Sequence, residues 1–149
     1  MRRLDFIDSP SPLSDRDIVS LESRFGFPIP SELKAFLSNH NGGRPQLCQC
    51  QVRAINQSIW VNQFFSIGGR YGIESIYDEI EDEVPHGYIP FANDTYGNLF
   101  VIDKDGSIYY CDYRYLYTPS SAIYFLNGSF LEFLESLAFV DGKEGESQQ

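Results

Sequence analysis

The chain has 149 residues, 42% of them hydrophobic, and a formal net charge of -10 from 11 Lys and Arg against 21 Asp and Glu. That length and apolar fraction support one buried core and exclude a disordered chain; the acidic balance disfavours a direct DNA or RNA binder, which needs a basic footprint, and favours a basic partner. The purely apolar runs fall far short of the roughly 20 residues a bilayer helix needs, and Asp5 and Asp8 stand where a secretory leader would be apolar, so a cytoplasmic protein without membrane contact is expected.

Residues 4–12 read as an extended lead-in stopped by Ser9-Pro10-Ser11-Pro12. Ser14 with Asp17 three residues on resembles a capping box, and Leu13, Ile18, Leu21 and Phe25 fall on one helical stripe that Gly26 terminates in the left-handed conformation. Phe27-Pro28-Ile29-Pro30 is a rigid corner. Ser31 is the predicted cap of a second helix with Leu33, Phe36 and Leu37 inward, and residues 39–43 end it. Residues 47–52 and 58–67 then read as strands. Ile73, Ile76, Tyr77, Ile80 and Val84 return to helical spacing, which predicts a helix over residues 71–84 with Glu74, Asp78, Glu79, Glu81, Asp82 and Glu83 on its other positions and Pro85 as its stop.

Residues 88–113 predict an antiparallel meander. Three short apolar runs are separated by Asn93-Asp94-Thr95-Tyr96-Gly97 and by Lys104-Asp105-Gly106, with Gly106 supplying the positive φ of a tight hairpin. Leu99-Phe100-Val101-Ile102 is unbroken apolar sequence, which places that strand inside the sheet with both faces covered. Tyr109, Cys111, Tyr113, Tyr115 and Tyr117 alternate, and on one strand they would form a half-buried face against a helix; a Tyr-rich interface patch is the alternative. Residues 122–126 are a short strand or an irregular packed segment. Ser129 with Glu132 opens a last helix whose stripe is Phe130, Phe133, Leu134 and Leu137, and residues 141–149 form a polar, frayed tail behind a single domain at 1–140.

Reactive machinery is not evident. Three cysteines, an odd number, fit a reducing compartment, and Cys48-Gln49-Cys50 has a one-residue spacer where structural zinc sites use two to four, so neither metal nor cofactor is expected. His40 reads as a helix-end residue and His86 as a loop residue; no nucleophile motif accompanies them, and Gly68-Gly69-Arg70-Tyr71-Gly72 lacks the spacing of a phosphate loop. An enzyme is not expected.

Leu21, Glu22 and Gly26, then Pro30, Leu33, Lys34 and Phe36, then Asn41-Gly42-Gly43 form a pattern of helix, proline corner, helix and Asn-Gly. Further on come Ile89-Pro90-Phe91-Ala92, Asp94, Gly97-Asn98, the run 100–103 and the closing helix 130–137. Together these resemble the SUKH superfamily. The resemblance implies an α+β fold, a largely antiparallel sheet with N-terminal helices and a C-terminal helix packed against it, and no enzymatic activity. It further implies an immunity protein that binds and blocks a cognate secreted toxin, such as a nuclease or deaminase; a regulatory or scaffold module on the same fold is the alternative. Gly26, Pro30, Asn41, Gly42, Gly43, Asp94 and Gly97 are then backbone devices of the scaffold.

The charge run carries the expectation about the surface. Between Arg70 and Lys104 there is no Lys or Arg, while Glu74, Asp78, Glu79, Glu81, Asp82, Glu83, Asp94 and Asp103 fall in that interval. A solvated face is the plain reading. Clustered like charge without interleaved bases is also what a basic toxin domain would meet, so Glu74, Asp78, Glu79, Glu81, Asp82 and Glu83 are the candidate partner-binding residues.

Overall fold

A computed structural model describes residues 14–68, 72–80, 87–112 and 123–139. The lead-in at 4–12, Glu81 to Glu83, Val84, Pro85 and His86, the tyrosines at 113, 115 and 117, and the tail at 141–149 lie outside the described residues.

Local chemistry starts the first helix where the sequence predicts it. Helix α1 (Asp15–Phe25) opens on a reciprocal capping box between Ser14 and Asp17 and closes on Gly26 at φ 82°. Helix α2 (Ser31–Asn39) departs from expectation: Pro30, not Ser31, is its cap position, and no side chain caps it. Proline is suited there because its fixed φ and missing N–H cost a helix start nothing. Two glutamates tie the corner instead. Glu22 accepts from the Ile29 N–H at 2.8 Å and from the Lys34 ammonium at 3.0 Å; partial burial opposes ionisation, but these two donors outweigh it and hold the carboxyl below its usual value. Glu32 reaches across to the Leu131 N–H at 3.0 Å.

Seven strands follow in the sheet order β6-β5-β4-β3-β2-β1-β7, all neighbours antiparallel. They are β1 (Cys48–Val52), β2 (Gln57–Phe64), β3 (Tyr88–Asp94), β4 (Leu99–Asp103), β5 (Ile108–Cys111), β6 (Ile123–Asn127) and β7 (Ala138–Phe139). Helix α3 (Ile73–Ile80) leaves the sheet between β2 and β3, and α4 (Phe130–Ser136) crosses from β6 to β7. The chain is therefore α+β, with its helices packed on one antiparallel sheet. The segment left open between strand and irregular packing is strand β6 from Ile123 onward, and β7, which has no signal in the sequence, pairs with β1.

Strand β4 is buried along Leu99, Phe100, Val101 and Ile102, as an interior strand must be. Pro90 lies in the adjacent interior strand and has no N–H to give the ladder; a register shift between Pro90 and Ala92 accommodates it, and the Phe91 carbonyl accepts from the Phe65 N–H at 2.8 Å. Cross-strand partners share a face, so Ala92, Phe100 and Tyr110 look to the helices. There Phe91 meets Phe130 and Phe133 of α4 at 5.3 and 5.4 Å, and Phe36 of α2 meets Phe64 and Phe130 at 5.3 and 5.1 Å. Edge and tilted ring pairs of this kind hold the two layers together. Of the alternating set Tyr109 and Cys111 are described: Tyr109 is half-buried as expected, but its ring meets Tyr88 and Phe125 of neighbouring strands rather than a helix, while Tyr110 on the opposite face packs on Phe100.

The three thiols belong to this core. Cys48, Cys50 and Cys111 are free and at most 1% exposed, and burial pushes each up to about 12, with Cys48 adding to the shift of Cys50 and Asp112 to that of Cys111. The native protein is expected to leave all three unlabelled by a thiol reagent at pH 8, and the urea-unfolded chain to release the full complement; rapid labelling of the native state would contradict their burial.

Candidate functional site

Helix α3 buries Ile73, Tyr77 and Ile80, so Glu74, Asp78 and Glu79 fall on its outer half. It packs on α1, where the Tyr77 ring meets Phe25 at 4.7 Å, and beside that contact the Arg24 guanidinium donates to the Asp78 Oδ1 from Nε at 2.9 Å and also from Nη2. The helix start is held as well. Glu74 Oε1 accepts from the Gly68 N–H at 2.8 Å.

The eight acidic residues of the base-free interval therefore divide. Asp94 is 2% exposed and faces inward. Asp103 is half-buried and accepts from the Asp105 and Ser107 N–H groups at 2.9 and 3.0 Å and from the Tyr109 hydroxyl at 3.0 Å. Glu74 closes the loop onto its own helix. Asp78 has a partner yet keeps 45% of its side chain exposed, and exposed pairs contribute only about 0–1 kcal/mol, so its charge remains open to competition. Glu79 is exposed, and Glu81, Asp82 and Glu83 lie outside the described residues.

Asn41 and Gly43 of the signature bond to backbone groups of the chain that leads into α3. Asn41 is buried at the end of α2; its Oδ1 accepts from the Ile67 N–H at 2.8 Å and its Nδ2 donates to the Ile67 carbonyl at 3.3 Å, so one amide completes a backbone ladder. Gly43 and Phe64 exchange both backbone hydrogen bonds, at 3.0 and 2.9 Å. The Ser66 carbonyl then accepts from Ile73 N–H at 2.7 Å and launches α3. Asn41 from one side and Glu74 from the other thus fix the loop that aims the acidic helix. Spacing alone did not reveal the Asn41 clamp, because its partner is 26 residues away.

At the other end of the sheet Asp94 Oδ1 accepts from the Tyr96 and Asn98 N–H groups, both at 2.8 Å, while Oδ2 takes the Asn98 side-chain amide at 3.0 Å and the Tyr110 hydroxyl at 2.6 Å. Burial and then this bond to Asp94 push the Tyr110 phenol upward, so it stays a donor. Gly97 follows at φ 87° and turns the chain into β4.

Among the described residues no three His, Cys, Asp and Glu side chains gather to hold a metal ion, and no described helix is long and apolar enough to cross a membrane. His40 caps α2, its N–H on the Phe36 carbonyl at 2.7 Å and its ring on Phe36. The family model described as SMI1 / KNR4 family (SUKH-1) matches residues 12–136.

The chain belongs to the SUKH-1 family. No curated protein matches it. The SUKH-1 match runs from just before α1 to the last residue of α4, so it takes in all four helices and strands β1 to β6 and stops short of β7. SUKH proteins are commonly immunity proteins against toxins and are generally not enzymes. Two features went unseen in the sequence: β7, and a cleft between α2 and α4. A two-residue strand carries no periodicity, and a cleft exists only once distant helices meet.

Proposed function

We propose that this SUKH-1 protein is a cytoplasmic immunity protein that binds a basic toxin domain and blocks its active site, acting through contact and charge rather than catalysis. The observation that carries this is the charge distribution: a net -10 chain with a base-free interval whose helix α3 turns Asp78 and Glu79 outward and leads into Glu81, Asp82 and Glu83. A toxin that grips phosphates presents a basic cleft, and a row of carboxylates competes for it in place of the substrate backbone. Steering by such a surface raises association rates toward about 10⁸ M⁻¹s⁻¹ at low salt, which suits a protein that must intercept a toxin quickly. A regulatory interaction module on the same scaffold is the second reading, and an isolated gene with no toxin gene beside it favours that one.

The test is co-expression with the toxin domain encoded beside the gene, followed by co-purification and a viability assay. Glu74 and Asp78 also hold the α3 loop and the α1 contact, so reversing them confounds binding with folding. The informative variant changes Glu79, Glu81, Asp82 and Glu83 to Lys. It is expected to slow association roughly tenfold or more at low salt and to flatten the salt dependence, with dissociation little changed. Unaltered association kinetics would remove the acidic helix from the account.

A further inference from the structure

A cleft of about 510 Å³ runs between α2 and α4, open to solvent, with Phe36, Phe130, Leu131 and Leu134 as its apolar lining and the exposed Ala35 at its side. Leu131 is 47% exposed, a large apolar side chain facing water at the mouth. The walls are fixed rather than loose: Glu32 bonds the Leu131 N–H across the gap, and Phe36 packs on Phe130 at 5.1 Å. A groove already joined in this way loses little entropy when something fills it.

Charge decides what fits. Among the described residues that line the cleft none is Lys or Arg and the one histidine is His40; Glu32 stands within it, and Glu135 follows Leu131 by one turn of α4. Lys34 of α2 points the other way, onto Glu22 of α1. A second cleft of about 370 Å³ holds exposed Leu47 and Trp60, but none of the described residues lining it is Asp or Glu. We propose that the groove between α2 and α4 docks a basic amphipathic helix of the partner protein. Its apolar stripe lies on Leu131, Leu134 and Phe36, its Lys or Arg residues reach Glu32 and Glu135, and the small Ala35 lets the incoming helix come close. This rests on the reading of a basic protein partner and assigns it a second, apolar anchor apart from α3.

The probe is a Leu/Lys amphipathic peptide of five helical turns, about 18 residues, titrated into the ¹⁵N-labelled chain. Saturable shifts centred on residues 31–40 and 130–135 are expected. Ala35→Arg keeps a good helix former at an exposed position, so the fold is retained, and it is expected to weaken the peptide about tenfold or more. Shifts centred on α3, shifts spread over every acidic residue, or an Ala35→Arg protein that binds the peptide as tightly as the native one would overturn the proposal. Capture of the neighbouring toxin domain separates the two readings. Equal capture by native and Ala35→Arg protein overturns the groove and leaves immunity standing; peptide docking without any toxin capture supports the groove and overturns immunity.

Discussion

Replacing Gly42 with alanine is expected to cost about 2–5 kcal/mol of folding stability, the sum of a left-handed backbone penalty and overpacking. Gly42 sits at φ 81°, and a Cβ there would lie 2.7 Å from the Ser66 nitrogen, 2.8 Å from the Phe65 carbonyl carbon and 2.9 Å from the Ser66 Cα. All three are backbone atoms, which cannot swing aside as a side-chain end does. They belong to the same loop that Asn41 clamps and from which α3 departs, so the insult propagates to the acidic helix. Gly26 supplies the control, since it has nearly the same φ, 82°, and a Cβ added there would meet nothing within 4 Å. Gly26→Ala should therefore lose only the conformational part, about 1–2 kcal/mol. Urea midpoints at constant slope give both numbers. Equal losses at the two sites would mean that the close approach at Gly42 carries no cost.

Asp94→Ala should be comparably severe, roughly 3–5 kcal/mol, because it strands buried donors as well as deleting bonds. The Tyr110 hydroxyl and the Asn98 amide point at that carboxylate from inside the sheet, and Tyr96 and Asn98 N–H groups depend on it to close the turn. Asp103 again provides the comparison. It builds the same device one hairpin later, an aspartate followed three residues on by a positive-φ glycine and bonded to a tyrosine of β5, but it is only half-buried. Water can replace its bonds, so Asp103→Ala should cost about 1 kcal/mol. A double variant Asp94→Ala, Tyr110→Phe should recover part of the loss by removing the orphaned hydroxyl. Asp94→Ala at the level of Asp103→Ala would show that the inner network carries no extra weight.

The contrast between these two aspartates shows how far one-dimensional reading reaches. Asp94-Thr95-Tyr96-Gly97 and Asp103-Lys104-Asp105-Gly106 are each legible as turns from residue types alone. That one carboxylate is sealed between strands and the other meets solvent follows from which face of β4 the helices cover. The acidic residues teach the same lesson. Six of them, Glu74 to Glu83, read as one partner-facing row, yet Glu74 holds Gly68 and Asp78 meets an arginine 54 residues earlier in the chain.

Residue types and their spacing sufficed for the elements whose signals are local: the Ser14–Asp17 box and Gly26 around α1, the meander with its apolar β4, the Ser129 start of α4, and the spaced residues that resemble the family. These depend on contacts within about four residues, where side-chain type and spacing fix the backbone. The pairing of β7 with β1, the Asn41 clamp on Ile67, the engagement of Asp78 by Arg24 and the groove between α2 and α4 emerged only from the folded chain. Each joins segments that no periodicity links, and their meeting is settled by how the aromatic layers of helices and sheet close on one another.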